Sequence, residues 1–214
     1  PGDGIGQEVT AVGKKVLDKI AAKFGHEFTY DEALIGHVAI EATGNPLPDA
    51  SLAKMRASDA VLFGAVGHPK YDNDPTAKVR PEQGLLKMRK ELGIYANIRP
   101  IKLFDELLGA SSIKPEILKG ADILFFRELT GDIYFGEKGR KNNGDTAYDV
   151  AEYSRYEVER IARKAFEAAR TRKKKLCSVD KANVIETSRL WREVVQKVAL
   201  DYPDVELEHQ FVDA

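Results

Sequence analysis

The stretch from Arg80 to Pro100, RPEQGLLKMRKELGIYANIRP, sets a helical segment and a strand-like segment in direct succession. Gly84 to Leu92 reads as a short helix with Arg89 near its end. Ile94 to Ile98 is an apolar run typical of a strand, and Arg99 follows it. The same stretch holds a glutamate, Glu82, and a leucine pair, Leu85 and Leu86. Guanidinium forks match carboxylates bidentately, so the combination reads as a pocket for an anion with an apolar tail. Taken singly, each arginine is more simply a surface partner in an ion pair.

Working outward, Val9, Val12, Val16, Leu17, Ile20 and Phe24 recur at helical spacing and predict an amphipathic helix from about Gln7 to Phe24. A strand over Phe28–Glu32, a short helix from Asp49 and a buried strand over Ala60–Val66 follow. This alternation predicts an α/β fold. The polar, proline-containing segment Gly67 to Arg80 is then a long loop at a strand's C-terminal end, where open α/β sheets bind ligands. Beyond Pro100, strands are expected at Ile123–Phe126 and Ile133–Phe135, and the polar segment from Gly136 to Asp149 reads as a projecting arm. Ser154 and Glu157 form a capping box for a helix over Arg155–Arg172. A strand at Leu176–Val179, a helix over Val184–Tyr202 with Val184, Trp191, Val195 and Val198 on its apolar face, and an alternating strand over Val205–Phe211 complete the chain. The apolar elements regroup near Arg99, so residues 1–98 and 99–214 are expected to form separate domains, the arm spanning about 136–152.

With 43% hydrophobic and 31% charged residues over 214 positions, the chain has an ordinary globular composition. Lys plus Arg number 33 against 34 Asp plus Glu, and the net charge of -1 gives no general attraction to nucleic acid or anionic membrane. The single cysteine, Cys177, excludes an internal disulfide framework, suits a reducing cytoplasm and is expected to be a buried structural thiol. No apolar run approaches the roughly 18 residues of a membrane span. The chain opens on a glycine-rich turn with no strand before it and stops after a strand-like alternation, so a piece of a longer protein is expected.

Several residues could do chemistry. Residues 1–6, PGDGIG, open a helix whose backbone N–H groups could face a ligand, although the spacing is not that of the dinucleotide fingerprint. Arg127 follows a buried strand, with Tyr134 seven positions on; Lys181 and Asn183 stand at another strand's C-terminal end. A lysine base must lose its proton near neutrality, and a tyrosine can return one. Asp213 ends a strand and offers a hard oxygen donor, but one carboxylate is no metal site. His26, His37, His68 and His209 lack ligand spacing, and His209 reads as a packed or surface histidine.

Taken in order, PGDGIG, GAVG, RPEQGLL, MRKELGIYANIRP, RELTGDIYFG, VDKANV and HQFVDA resemble the isocitrate/isopropylmalate dehydrogenase family of decarboxylating β-hydroxyacid dehydrogenases, and within it the 3-isopropylmalate enzymes. The resemblance covers essentially the whole chain. It implies a two-domain α/β fold, distinct from the Rossmann fold, with a polar arm that clasps a partner. It further implies an NAD-dependent oxidoreductase of leucine biosynthesis that uses Mg²⁺ or Mn²⁺ and converts 3-isopropylmalate to 4-methyl-2-oxopentanoate. By the resemblance, Arg89, Arg99 and Arg127 hold the carboxylates of the 2-hydroxy dicarboxylate, Tyr134 and Lys181 are the acid–base pair, and Asp213 is a metal and substrate ligand. Ile5, His68, Pro69, Glu82 and Asn183 lie beside NAD. The implied assembly is a cytoplasmic homodimer in which Lys181 and Asp213 serve the neighbour's site, and the 214-residue chain alone is expected to be inactive.

Lys181, directly or through water, would take the proton of the C2 hydroxyl while NAD accepts hydride, and Tyr134 would protonate the enol left by decarboxylation. Glu82, Leu85 and Leu86 resemble the isopropyl-recognition group, with Val184 contributed across the dimer. The third carboxylate of isocitrate would there be desolvated and repelled, a discrimination of roughly 10³-fold or more. His68 and Asp132 depart from the family pattern, which commonly has glycine at both positions. Another β-hydroxyacid dehydrogenase, acting on isocitrate, homoisocitrate or tartrate, or a non-catalytic subunit is the alternative.

Overall fold

The computed structural model describes residues 1–74 and 76–214; Pro75, within the expected ligand loop, lies outside the described residues. The chain forms two compact units, Pro1–Gly93 and Ile94–Ala214.

In the first unit, α1 (Gly6–Phe24), α2 (His37–Thr43), α3 (Asp49–Ala57), the single turn α4 (Pro69–Asp72) and α5 (Pro81–Glu91) follow in order. Ile35, Leu47, Leu52, Met55 and Met88 form its core, with Phe63, Val66, Leu85 and Leu92 packed against them. Gly84 sits inside α5 because the helix lies on the Pro46 carbonyl: a Cβ there would come within 2.4 Å of that oxygen. The periodicity of α1 is as expected, but Val9, Val12, Val16, Ile20 and Phe24 are exposed.

Two expected strands do not form. Phe28–Glu32 and Ala60–Val66 have no paired neighbour among the described residues beyond one isolated bridge, Gly2 to Ala65. Val61 and Leu62 are exposed. An apolar run supplies side chains for a strand but not the hydrogen-bonding neighbour that makes one.

In the second unit, β1 (Ala96–Lys102) pairs antiparallel with β2 (Asp122–Glu128), and a 3₁₀ segment (Asp105–Ala110) and the short α6 (Pro115–Leu118) lie between them in sequence. The strand thus continues past Pro100 rather than ending before it. The polar arm contains a hairpin of β3 (Lys138–Lys141) and β4 (Thr146–Asp149), turned through Asn142 and Asn143, both at positive φ. Then come α7 (Arg155–Arg170), β5 (Lys175–Asp180), α8 (Glu186–Ala199) and β6 (Glu206–Phe211), with β5 and β6 parallel. The capping box is present: the Ser154 amide donates to Glu157 (2.7 Å) and the Glu157 amide donates to Ser154 Oγ (3.3 Å). Val158, Ala162, Phe166 and Ala169 of α7 meet Val194, Val195 and Val198 of α8 over Tyr202 and Val205.

Ile133–Phe135 is part of a turn, not a strand. Cys177 is exposed, because alternation along β5 turns Ser178 and Asp180 inward instead. Val184 precedes α8 and is 64% exposed, so it is not on the helix's apolar face. The basic tail of α7 is held in ion pairs, Arg170 with Asp204, Arg172 with Asp122 and Lys175 with Glu206, consistent with a solvated helix end.

Phe166 is fully buried and stacked on Tyr202. Phe166→Ala is expected to destabilise the second unit by about 3–5 kcal/mol, read from urea unfolding followed by fluorescence of Trp191, the only tryptophan.

Candidate functional site

The β1–β2 register assembles an arginine face. Asn97 is opposite Arg127 and Arg99 opposite Phe125. Directly opposed residues share a face and successive residues alternate, so Arg99 and Arg127 stand diagonally on one face of the ladder. Arg99 Nε donates to Asn97 Oδ1 (3.2 Å), and the Arg127 guanidinium lies 5.9 Å from the centre of the Tyr134 ring. The opposite face carries Glu128, which pairs with Arg160 of α7 (2.7 Å). The guanidinium face is thus left open, while α7 covers the Glu128 end of the other face, on which Ile98 is still 53% exposed.

Arg127 and Tyr134 line a cleft of about 520 Å³ together with Tyr153, Asp180, Thr187, Ser188 and Trp191. Tyr153, Thr187 and Ser188 do not stand out in sequence, and Trp191 and Asp180 do so only as a core residue and a motif member; the approach of the segment after β2 to β5 and α8 makes all five neighbours. Tyr153 packs edge-on against Trp191, and burial pushes its hydroxyl well above the ordinary tyrosine value. Asp132 has φ 68, in the left-handed region where glycine is at ease and aspartate is tolerated. Gly131 abuts Tyr153: a Cβ there would come within 2.7 Å of its ring.

Parallel pairing of β5 with β6 brings the ends of both strands together, and Lys181 Nζ donates to Asp213 Oδ1 at 2.5 Å. Two residues singled out separately in sequence thus meet. The Lys181 ammonium, hydrogen-bonded to it, holds the Asp213 carboxyl below the usual carboxylate range. Asp213 has the hard oxygen chemistry that Mg²⁺ or Mn²⁺ selects, but no group of three or more His, Cys, Asp or Glu converges among the described residues. It is one donor and not by itself a cation site.

Behind the pair, buried Asp180 accepts from Arg192 Nε (2.8 Å), Arg192 Nη2 (2.9 Å) and the Ala182 amide (3.0 Å). Burial works against its charge, but these donors outweigh it and keep its carboxyl below the ordinary value. The Lys181 carbonyl accepts from the Val184 and Ile185 amides, fixing the turn that exposes Asn183 and Val184. His209 is packed, with both ring nitrogens buried and without a hydrogen-bond partner among the described residues, Nδ1 lying 3.9 Å from Asp180 Oδ2; burial and Arg192 push its pKa down against the opposing pull of Asp180.

The first unit holds the other sequence candidates. Asp3, buried in the opening turn, accepts from the amides of His37 (2.7 Å), Val38 (3.0 Å) and Gly67 (3.0 Å). Two glycines of this turn have no room for a side chain: a Cβ on Gly2 would come within 2.0 Å of the Ala65 carbonyl oxygen, and one on Gly6 within 2.4 Å of the Pro1 oxygen. Ile5 is exposed at the turn. His68 has an extended backbone that does not require glycine; its Nδ1 accepts from the Lys70 amide (3.2 Å), and its ring stacks 4.0 Å from that of His37. Pro69 begins α4. Arg80 ties the loop by donating to the carbonyls of Tyr71 (2.6 Å) and Asp74 (2.7 Å). Glu82 is exposed on the first turn of α5 beside Gly67, Leu86 is half-buried, Leu85 packs on the core, and Arg89 lies in the helix's last turn.

These elements form part of the α/β fold of the isocitrate dehydrogenase type. The chain belongs to the isocitrate/isopropylmalate dehydrogenase family, whose model matches residues 1–214. It is 56% identical to the 3-isopropylmalate dehydrogenase of Nitratidesulfovibrio vulgaris, over all of this chain and 60% of the relative. It is 55% identical to that of Rhodopirellula baltica, again over all of this chain and 60% of the relative. Among solved structures, an isocitrate dehydrogenase from Methylococcus capsulatus superposes with a TM-score of 0.83 at 31% identity, covering all of this chain and 59% of that one. The chain thus spans about 60% of the length of the curated relatives it matches. No helix among the described residues is long and apolar enough to cross a membrane.

The ion pair gives a pH-dependent signature. A carboxylate whose folded pKa is depressed contributes stability fully present above the unfolded value of about 4 and lost as pH falls through the folded value. Lys181→Met is expected to raise the Asp213 pKa toward its unfolded value and so shrink this pH-dependent contribution, the pKa being read by carboxyl carbon NMR titration. An unchanged Asp213 titration would show that the pair does not form.

Proposed function

We propose that the protein to which this chain belongs catalyses NAD-dependent oxidative decarboxylation of 3-isopropylmalate in leucine biosynthesis, as a cytoplasmic homodimer with shared active sites. The observation that carries this reading is the placement of Arg99 and Arg127 on one open face of β1–β2, with Tyr134 beside Arg127. Two guanidiniums on one face suit the malate core, whose carboxylates they would bind and orient, and Arg89 would complete the clamp. Residues 1–98 would form the first part of the cofactor-side domain and 99–214 the substrate and dimerisation domain, with the 136–152 arm clasping the partner.

Lys181, as the neutral amine and released from its contact with Asp213, would accept the C2 hydroxyl proton, directly or through water, and Tyr134 would deliver a proton to the enol carbon. The Tyr134 hydroxyl has no hydrogen-bond partner among the described residues, which leaves it available for that role. NAD, when bound beside Ile5, His68, Pro69, Glu82 and Asn183, supplies the hydride acceptor. A Mg²⁺ or Mn²⁺ ion with Asp213 among its ligands supplies Lewis-acid polarisation of the substrate oxygen. Glu82, Leu85, Leu86 and the exposed Val184 would select the apolar branch, Leu85 with the part of its side chain left open by the core.

NADH formation by the full-length protein with NAD and Mg²⁺ tests the reading. Isopropylmalate is expected to be turned over at least about 10³-fold more efficiently in kcat/KM than isocitrate. Turnover of isocitrate or tartrate without turnover of isopropylmalate would contradict it.

A further inference from the structure

Glu128 is adjacent to Arg127 in sequence but faces the other way, and the proposed chemistry gives it no task. Its side chain is 1% exposed, yet its carboxylate is fully engaged. It accepts from the Thr130 amide (2.6 Å), the Thr130 hydroxyl (2.8 Å), the Gly131 amide (2.9 Å) and Arg160 Nη2 (2.7 Å). Arg160 also contacts the Thr130 hydroxyl. Its guanidinium lies 4.5 Å from the centre of the Tyr95 ring and 5.0 Å from that of Tyr156. Tyr95 further accepts, through its carbonyl, the Leu129 amide at 2.8 Å.

These bonds converge on the backbone that leaves β2 and turns back through Tyr134. The turn is then fastened at Asp132, whose amide donates to the Glu152 carbonyl (2.8 Å) and whose carbonyl accepts from the Phe135 (3.0 Å) and Gly136 (3.1 Å) amides. Tyr134 lies between these fixed points and is itself 46% exposed. The Arg127 guanidinium lies 5.9 Å from its ring centre, and the fixed backbone of the turn supplies the rest of its placement. Arg127, by contrast, is held by the β1 ladder.

We propose that Glu128, locked by Arg160, is a positioning residue for Tyr134: its carboxylate gathers the Thr130 and Gly131 amides and so fixes the turn that presents the tyrosine to the cleft. The proposal rests on the acid role given to Tyr134 above. Because a misplacement of about 1 Å at a reacting group costs on the order of 10²-fold, the effect falls on kcat more than on substrate affinity.

The test is a double-mutant cycle in the full-length protein with isopropylmalate, NAD and Mg²⁺. Glu128→Gln is expected to lower kcat by about 10- to 100-fold with KM within about threefold. Introduced into Tyr134→Phe, the same change is expected to cost less than about threefold, since there is no hydroxyl left to place. Equal losses in both backgrounds, or no loss in either, would overturn the proposal. If Glu128→Gln gives no cooperative unfolding transition, Thr130→Val, which removes one hydroxyl from the same network, replaces it with the same non-additivity expected and the same additivity overturning the idea. Wild-type protein that forms no NADH would remove the reading beneath the proposal, and the proposal with it.

Discussion

The pairing of Asn97 with Arg127 across β1 and β2 is the constraint on which the second unit's chemistry depends. Side chains alternate with a period of two, so a slip of one residue would send one arginine to the face partly covered by α7 and leave the other alone. The register is pinned at Glu128, buried against Arg160, and at Leu129, whose amide reaches the Tyr95 carbonyl. A charged pair on the partly covered side thereby fixes which side stays open. Breaking such a pair by removing one partner is costly because the other is left buried and uncompensated.

The first unit obeys a comparable rule through backbone contact. Its opening turn lies so close to Ala65 that Gly2 and Gly6 have no room for a Cβ. Asp3 then bridges that turn to the start of α2 and to Gly67, the residue from which the His68–Glu82 segment departs. One carboxylate accepting three amides thus anchors the segment proposed to flank the cofactor. In sequence the glycine-rich turn offered amides that could face a ligand; in the structure Gly2 and Gly6 clear the backbone of Ala65 and Pro1, and it is Gly36 whose missing Cβ leaves room for the Asp3 carboxylate.

Much of this was legible in sequence wherever one segment carries its own explanation. The capping box at Ser154 and Glu157 locates α7, and the alternation over Val205–Phe211 marks β6. The ordered motifs, more than any single residue, carry the family. What escaped were properties that belong to pairs of segments. The apolar runs at Phe28 and Ala60 have strand composition but lack a ladder neighbour among the described residues, and Ile133–Phe135 is drawn into a turn by Asp132 at positive φ. Cys177 was expected inside on the strength of its apolar neighbours, yet strand alternation turns it out. Thr187, Ser188 and Tyr153 of the cleft, and Glu128 behind it, acquire meaning only once β2, β5 and α8 are assembled. Lys181 and Asp213 were each visible, but their contact follows from parallel pairing of strands separated by a whole helix.

If the open β1–β2 face clamps a dicarboxylate through forked hydrogen bonds, calorimetric titration of the full-length protein with 3-isopropylmalate will separate wild type from Arg127→Lys. Lysine keeps the charge but loses the planar fork, so affinity is expected to fall by about 10- to 100-fold, consistent with 1.5–3 kcal/mol for a hydrogen bond to a charged group. Wild-type affinity in Arg127→Lys would contradict the account, because it would mean that positive charge near the strand, rather than the geometry set by the register, holds the substrate.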